Sequence, residues 1–250
     1  VQTCALPIYI DGIVGVVVYG WNRLPGFSGA SVNLLDSATL HGKIALAELD
    51  YRTEYSELWD ARGTAAFGPD GVGNTKGAAE NLAQQRRDMG IFLSHGQGAW
   101  MYALAGNGWP HPDMMRAISE SLKAAKLAVE DPRPDDHGDV AFFMDERMLD
   151  YLGKGKNVSF KLLANQVGFA AARVPFYRSG LKVDSYLLSD LAHPRRKACG
   201  MNVFVAAASI TPEEIAWVEK NLQKDGNVLV FLFDAGRVAS GGFTENIRRL

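Results

Sequence analysis

The sequence is poor in cysteine: only Cys4 and Cys199 occur in 250 residues. With Cys4 set aside for the reason given below, neither an internal disulfide nor a cysteine zinc site is expected. An excess of charge of one sign is also lacking. Lys and Arg number 26 against 28 Asp and Glu, a formal net charge of -2, and like charges never run together in a long block. That balance argues against nucleic acid and anionic membrane as partners. Long hydrophobic runs are missing too. The longest candidate, residues 13–19, falls far short of the roughly 18 residues that span a bilayer and suits a buried strand.

Several catalytic signatures are absent. Ser28 and Ser94 lack the Gly-x-Ser-x-Gly elbow of a serine hydrolase. Residues 71–77 hold glycines at suggestive spacing, but they follow no strand, and Lys76 lacks the Gly-Lys-Ser/Thr context of a phosphate loop. His41, His95, His111, His137 and His193 are scattered without paired metal-ligand spacing, so each reads first as a turn or capping residue. No metal or other cofactor is expected. The first residues carry neither the basic start nor the apolar centre of a secretion signal. Back-translated, residues 1–8 match a common short-read library adapter, so they are read as an artefact preceding a truncated gene fragment and left out of fold reasoning, which removes Cys4.

What is present is an ordinary globular composition, 47% hydrophobic and 22% charged. Apolar runs alternate with helical periods, which predicts an α/β protein built of parallel βα units. Strands are expected at 13–19, 43–50 and 98–104 and helices at 32–40, 75–93 and 113–129, with a long Gly-rich loop at 53–74. Residues 131–138, Asp-Pro-Arg-Pro-Asp-Asp-His-Gly, read as a linker. A first domain is therefore expected over 9–130 and a second over 139–250. The second should be doubly wound, with strands at 140–144, 185–188, 202–207 and 227–233 and helices at 158–179, 212–224 and 244–250. Thr211-Pro212-Glu213-Glu214 is a helix start, with Thr as cap and Glu three residues on.

The most informative stretch is the second strand. Alternation puts Ile44, Leu46, Glu48, Asp50 and Arg52 on one side and Lys43, Ala45, Ala47 and Leu49 on the other. A strand face that changes from Ile and Leu to two carboxylates and a guanidinium at its carboxyl end suits an α/β enzyme site. A surface ion pair where the strand emerges is the plainer alternative. Tyr19, Trp21 and Arg23 end the preceding strand, and Trp100, Tyr102, Asn107 and Trp109 end the following one. Flat aromatic faces among a few polar groups suit carbohydrate rings, although Trp100 and Tyr102 also read as core.

Tyr19-x-x-x-Arg23, His41-Gly42-Lys43 running to Glu48-x-Asp50-x-Arg52-Thr53, Gly96-x-Gly98-x-Trp100 and Gly106-x-Gly108-Trp109 resemble the last strands of the (β/α)8 barrel of glycoside hydrolases similar to family 42 β-galactosidases. Residues 139–234 resemble the β-galactosidase trimerisation domain that follows that barrel, a Rossmann-like fold related to class I glutamine amidotransferases. Residues 140–146, 186–191 and 226–236 carry this second match. The resemblance implies a retaining mechanism with two carboxylates about 5 Å apart. It makes Glu48 the candidate nucleophile with Asp50 as its rival, and it places the general acid upstream of residue 13. Tyr19, Arg23, Arg52, Trp100, Tyr102, Asn107 and Trp109 become candidate substrate contacts, and a homotrimer the expected assembly. The second domain is expected to be structural, with Asp145 and Glu146 making interface or interdomain contacts, and Cys199 lies away from any amidotransferase elbow. The leading expectation is thus a fragment of a β-galactosidase-like enzyme; a non-catalytic carbohydrate-binding or assembly module is the alternative.

Overall fold

A computed structural model of the chain describes residues 10–18, 25–49, 77–102, 111–130, 138–147, 172–233, 235–236, 238–239 and 242–243. The protein is α/β with parallel sheets, an arrangement compatible with a Rossmann-like or partial-barrel fold. The described residues fall into two compact units. One draws on Asp11–Asn33 and Lys43–Asp135, the other on Leu34–Gly42 and Asp136–Leu250.

The first unit holds a three-stranded parallel sheet in the order β1 (Gly12–Val16), β2 (Ile44–Leu49), β3 (Gly98–Met101). Two long helices, α2 (Gly77–Ser94) and α3 (Pro112–Glu130), accompany it; α2 packs on β2 and β3, and α3 on α2. The predicted alternation of β2 holds. Ala45, Ala47 and Leu49 are wholly buried, and the small side chains of the two alanines leave room for the helix, with Phe92 and Met89 of α2 also buried. The opposite face is open: Val14 and Ile44 are each 59% exposed. Helix α2 ends in a Schellman turn, in which Gln97 N donates to Phe92 O (2.8 Å) and Gly96 N to Leu93 O (3.1 Å). That turn needs a left-handed residue, and Gly96 supplies it at φ 68°.

The second unit is a four-stranded parallel sheet in the order β5 (Val183–Leu187), β4 (Val140–Met144), β6 (Met201–Val205), β7 (Val228–Leu232). Every residue of β4 is buried, as expected for a central strand covered on both faces. On one face Tyr186, Phe143, Phe204 and Phe231 lie in register and stack across all four strands, with ring centroids 5.8, 5.1 and 4.7 Å apart in turn. Helix α5 (Pro212–Asn221) covers this face through Ile215 and Val218. The Arg196 guanidinium lies 5.1 Å from the Phe143 ring and 5.4 Å from that of Trp217. The other face, with Val140, Phe142, Val183, Val203 and Val205, packs against Phe176 and Tyr177 of α4 (Val174–Arg178). Thr211 forms the expected capping box, its hydroxyl accepting from Glu214 N while the Glu214 carboxylate accepts from Thr211 N. A short antiparallel pair, β8 (Val238–Ala239) and β9 (Gly242–Phe243), follows β7.

One element differs from expectation in its allegiance. Helix α1 (Leu35–Leu40), expected in the first domain, packs in the second unit along β5, the outer strand of that sheet. Asp36 Oδ2 accepts from Ser185 N (2.6 Å) and Ser37 Oγ from Leu187 N (2.7 Å), so the helix meets backbone donors on the sheet's edge. Asp190 then locks it, accepting from Ser37 Oγ (2.6 Å) and lying 2.6 Å from His41 Nε2. Leu40 joins the aromatic core, and its carbonyl accepts from Arg195. The expected linker at 131–138 spans the division between Asp135 and Asp136. The expected loop at 53–74 and the helix at 244–250 lie outside the described residues.

Candidate functional site

The parallel register decides what meets on the open face of the first sheet. Gly12 pairs with Ile44, Val14 with Leu46 and Leu46 with Gly98, and Val16, Glu48 and Trp100 form the last of these rows. Laterally paired residues of a pleated sheet project to the same side. The two lower rows are therefore apolar. At the carboxyl ends of the strands a carboxylate is flanked by an aliphatic group and an indole.

Two rings line this end. Trp100 is 41% exposed and Tyr102 37% exposed, with centroids 5.4 Å apart and planes tilted by 55°. Tyr102 lies two residues beyond Trp100, and its N–H donates to Leu49 O (3.0 Å), which carries the strand pairing one step past β3. Neither ring is buried among the described residues, and both stand on the same open face as Val14 and Ile44. The candidate site thus brings together Glu48, Trp100 and Tyr102. Asp50, Arg52, Tyr19, Arg23, Asn107 and Trp109 lie outside the described residues, as does Trp21.

Chemically, the arrangement offers one partly exposed carboxylate beside two flat apolar faces. Stacking against an aromatic face suits the C–H side of a sugar ring, and a carboxylate alongside suits attack at, or charge stabilisation of, an anomeric carbon. Sequence reasoning missed Gln97, whose Oε1 accepts from Ala45 N (2.6 Å) at the foot of β2. Its signal was weak, a single polar residue between Gly96 and Gly98.

The carboxyl ends of β4 and β6 in the second unit carry a hydrogen-bond network. Asp145 is wholly buried and takes Ser209 N (2.9 Å), Ser209 Oγ (2.6 Å) and Arg147 Nε (3.0 Å). Arg147 reaches on to Glu214 (2.9 Å). Burial alone would lower Arg147, but Glu214 and Asp145 together hold its guanidinium above the usual range. Glu146 accepts from Leu188 N (3.2 Å), and burial raises its carboxyl above the ordinary value despite a hydrogen bond from Ser189. Among the described residues, the acids at the carboxyl end of β4 are thus hydrogen-bonded within their own unit, at the sheet end where α/β folds often hold a ligand. Burial also pushes the Cys199 thiol up to about 12, an environment unlike that of a nucleophile.

Comparison with protein-family models, with curated proteins and with solved structures finds no match to this chain. Among the described residues no helix is long and apolar enough to cross a membrane.

Proposed function

We propose that the first unit is part of the (β/α)8 barrel of a retaining glycoside hydrolase similar to the family 42 β-galactosidases, acting on O-glycosidic bonds. The observation that supports this most is the pairing of Glu48 with Trp100 on the face away from α2, at the carboxyl ends of three parallel strands. In this reading Glu48 attacks the anomeric carbon while Trp100 and Tyr102 hold the sugar ring by stacking. Asp50 remains the alternative nucleophile, and a second carboxylate about 5 Å away supplies the proton. The mechanism calls for no metal or cofactor. The exposed apolar rows of Val14 and Ile44 fit the inner surface of a sheet that further strands would close into a barrel.

We further propose that the second unit is a Rossmann-like trimerisation domain of amidotransferase-related fold. Its strand order and the helices on both of its faces support that reading, as does the closed Asp145 network, which suits a structural role.

The test is kinetic. The full open reading frame encoding this chain, assayed against aryl β-galactosides, should lose turnover in Glu48→Gln by on the order of 10³-fold or more, with KM little changed. Full turnover in that variant would remove Glu48 from the nucleophile role. Binding that depends on Trp100 with no hydrolysis in the parent would favour the carbohydrate-binding module.

A further inference from the structure

The ladder between β2 and β3 has a side chain for its first rung. Tyr102 N donates to Leu49 O, which marks Leu49 as a residue whose backbone faces β3, and the alternation of a parallel pair then points Ala47 and Ala45 the same way. Glu48 and Ile44 face the other neighbour, as shown by Val17 N donating to Glu48 O (3.4 Å) and Ile44 N to Asp11 O (3.1 Å). The β2–β3 backbone register starts only at Leu46 and Gly98. Below it, the N–H of Ala45 is received by the side-chain Oε1 of Gln97 at 2.6 Å, and this contact is buried. Gln97 is itself held from behind, because its own N–H closes the Schellman turn of α2 onto Phe92 O.

From this we infer that Gln97 is a positioning residue for the proposed glycoside site: it ties the end of α2 to β2 and so fixes the register that places Glu48 beside Trp100. The inference rests on the glycoside reading of that site. Glu48 lies three residues beyond Ala45 and Trp100 three beyond Gln97, so the two site residues are equidistant from the same anchor. A slip of one residue would turn Glu48 onto the helix-covered face, and in a short three-stranded sheet one anchored rung at the foot restrains that slip.

The experiment uses the protein of the full open reading frame that encodes this chain. Wild type and the variants Gln97→Met, Gln97→Asn, Gln97→Glu and Trp100→Ala are titrated calorimetrically with an aryl β-thiogalactoside, which resists hydrolysis, and exchange of the Ala45 amide is followed by NMR. Met matches the volume of Gln without an acceptor, Asn keeps the amide but not the reach, and Glu keeps an oxygen at the right distance. Gln97→Met and Gln97→Asn should each weaken binding at least about tenfold and speed Ala45 exchange, with far-UV circular dichroism unchanged, while Gln97→Glu stays within about twofold of wild type. Should one of the first two fail to fold, the other still decides. Wild-type affinity in Gln97→Met alongside lost binding in Trp100→Ala would overturn the role of Gln97 and leave the site standing. Equal weakening in Gln97→Met and Gln97→Glu would overturn it as well, since the side-chain amide donor, which both variants lack, rather than the acceptor oxygen would then matter. Absence of binding in wild type, or indifference to Trp100→Ala, would remove the glycoside reading and the role of Gln97 with it.

Discussion

Glu48 and Trp100 are register partners across β2 and β3, so a carboxylate and a 41% exposed indole share one face at the carboxyl end of a parallel sheet. Trp100 also leans toward Tyr102, 5.4 Å away. Trp100→Ala is accordingly expected to weaken affinity for a galactoside by about 1–3 kcal/mol, on the scale of a well-packed aromatic contact. Isothermal calorimetry reads this directly, and an unchanged affinity would separate the aromatic pair from ligand binding.

Helix α1 depends on its docking, because six residues are too few for a helix to persist alone. Ser37 Oγ both receives Leu187 N and donates to Asp190. Ser37→Ala therefore leaves a donor on the edge of β5 and a buried acid without that partner. A loss of about 1–3 kcal/mol in urea-induced unfolding is expected, with faster amide exchange at Leu187. No change in either measurement would mean that the helix is held by its apolar contacts alone.

Cys199 is 4% exposed and its thiol is pushed up to about 12, first by burial and then by Asp184. The thiolate is the reactive form, and at neutral pH it is all but absent here. Peptide-level mass spectrometry after iodoacetamide treatment should show Cys199 unmodified in the native protein and fully modified in denaturant. Rapid native labelling would contradict the burial described.

Glu146 gives a prediction with a definite sign. Burial raises its carboxyl in the folded state, so the folded protein binds that proton more tightly than the unfolded chain does. The resulting stability is fully present below the unfolded pKa and is lost as pH rises through the folded one. Glu146→Gln keeps an oxygen to accept from Leu188 N but cannot ionise. Relative to wild type, the variant should be more stable at pH about 7 than at pH about 4, the latter lying near the ordinary glutamate value. Equal differences at the two pH values would show that Glu146 carries no such linkage.

Local pattern made some of this legible. The alternation along residues 44–49 foretold which residues share a face of β2, because a period of two is a property of the strand itself; which of the two faces a helix covers was not readable from it. The capping box at Thr211 was equally readable, since its partners lie three residues apart. What stayed hidden depends on partners distant in sequence. Nothing near residues 35–40 indicates that this helix serves β5, whose Ser185 lies about 150 residues on, and Asp190 just beyond that strand. The hydrogen bonds of Asp145 were not readable because its partner Ser209 is 64 positions away. Gln97 escaped notice because a side chain standing in for a backbone rung leaves no periodic trace. Trp100 and Tyr102 were open between core and site, because aromatic type alone does not distinguish the two.

The central claim is that Glu48 forms the covalent bond to sugar, and trapping that bond tests it most directly. A 2-deoxy-2-fluoro aryl β-galactoside, incubated with the protein of the full open reading frame, should leave a stable glycosyl ester whose peptide fragmentation places the added mass on Glu48. Added mass on Asp50, or on any other residue, would contradict the account.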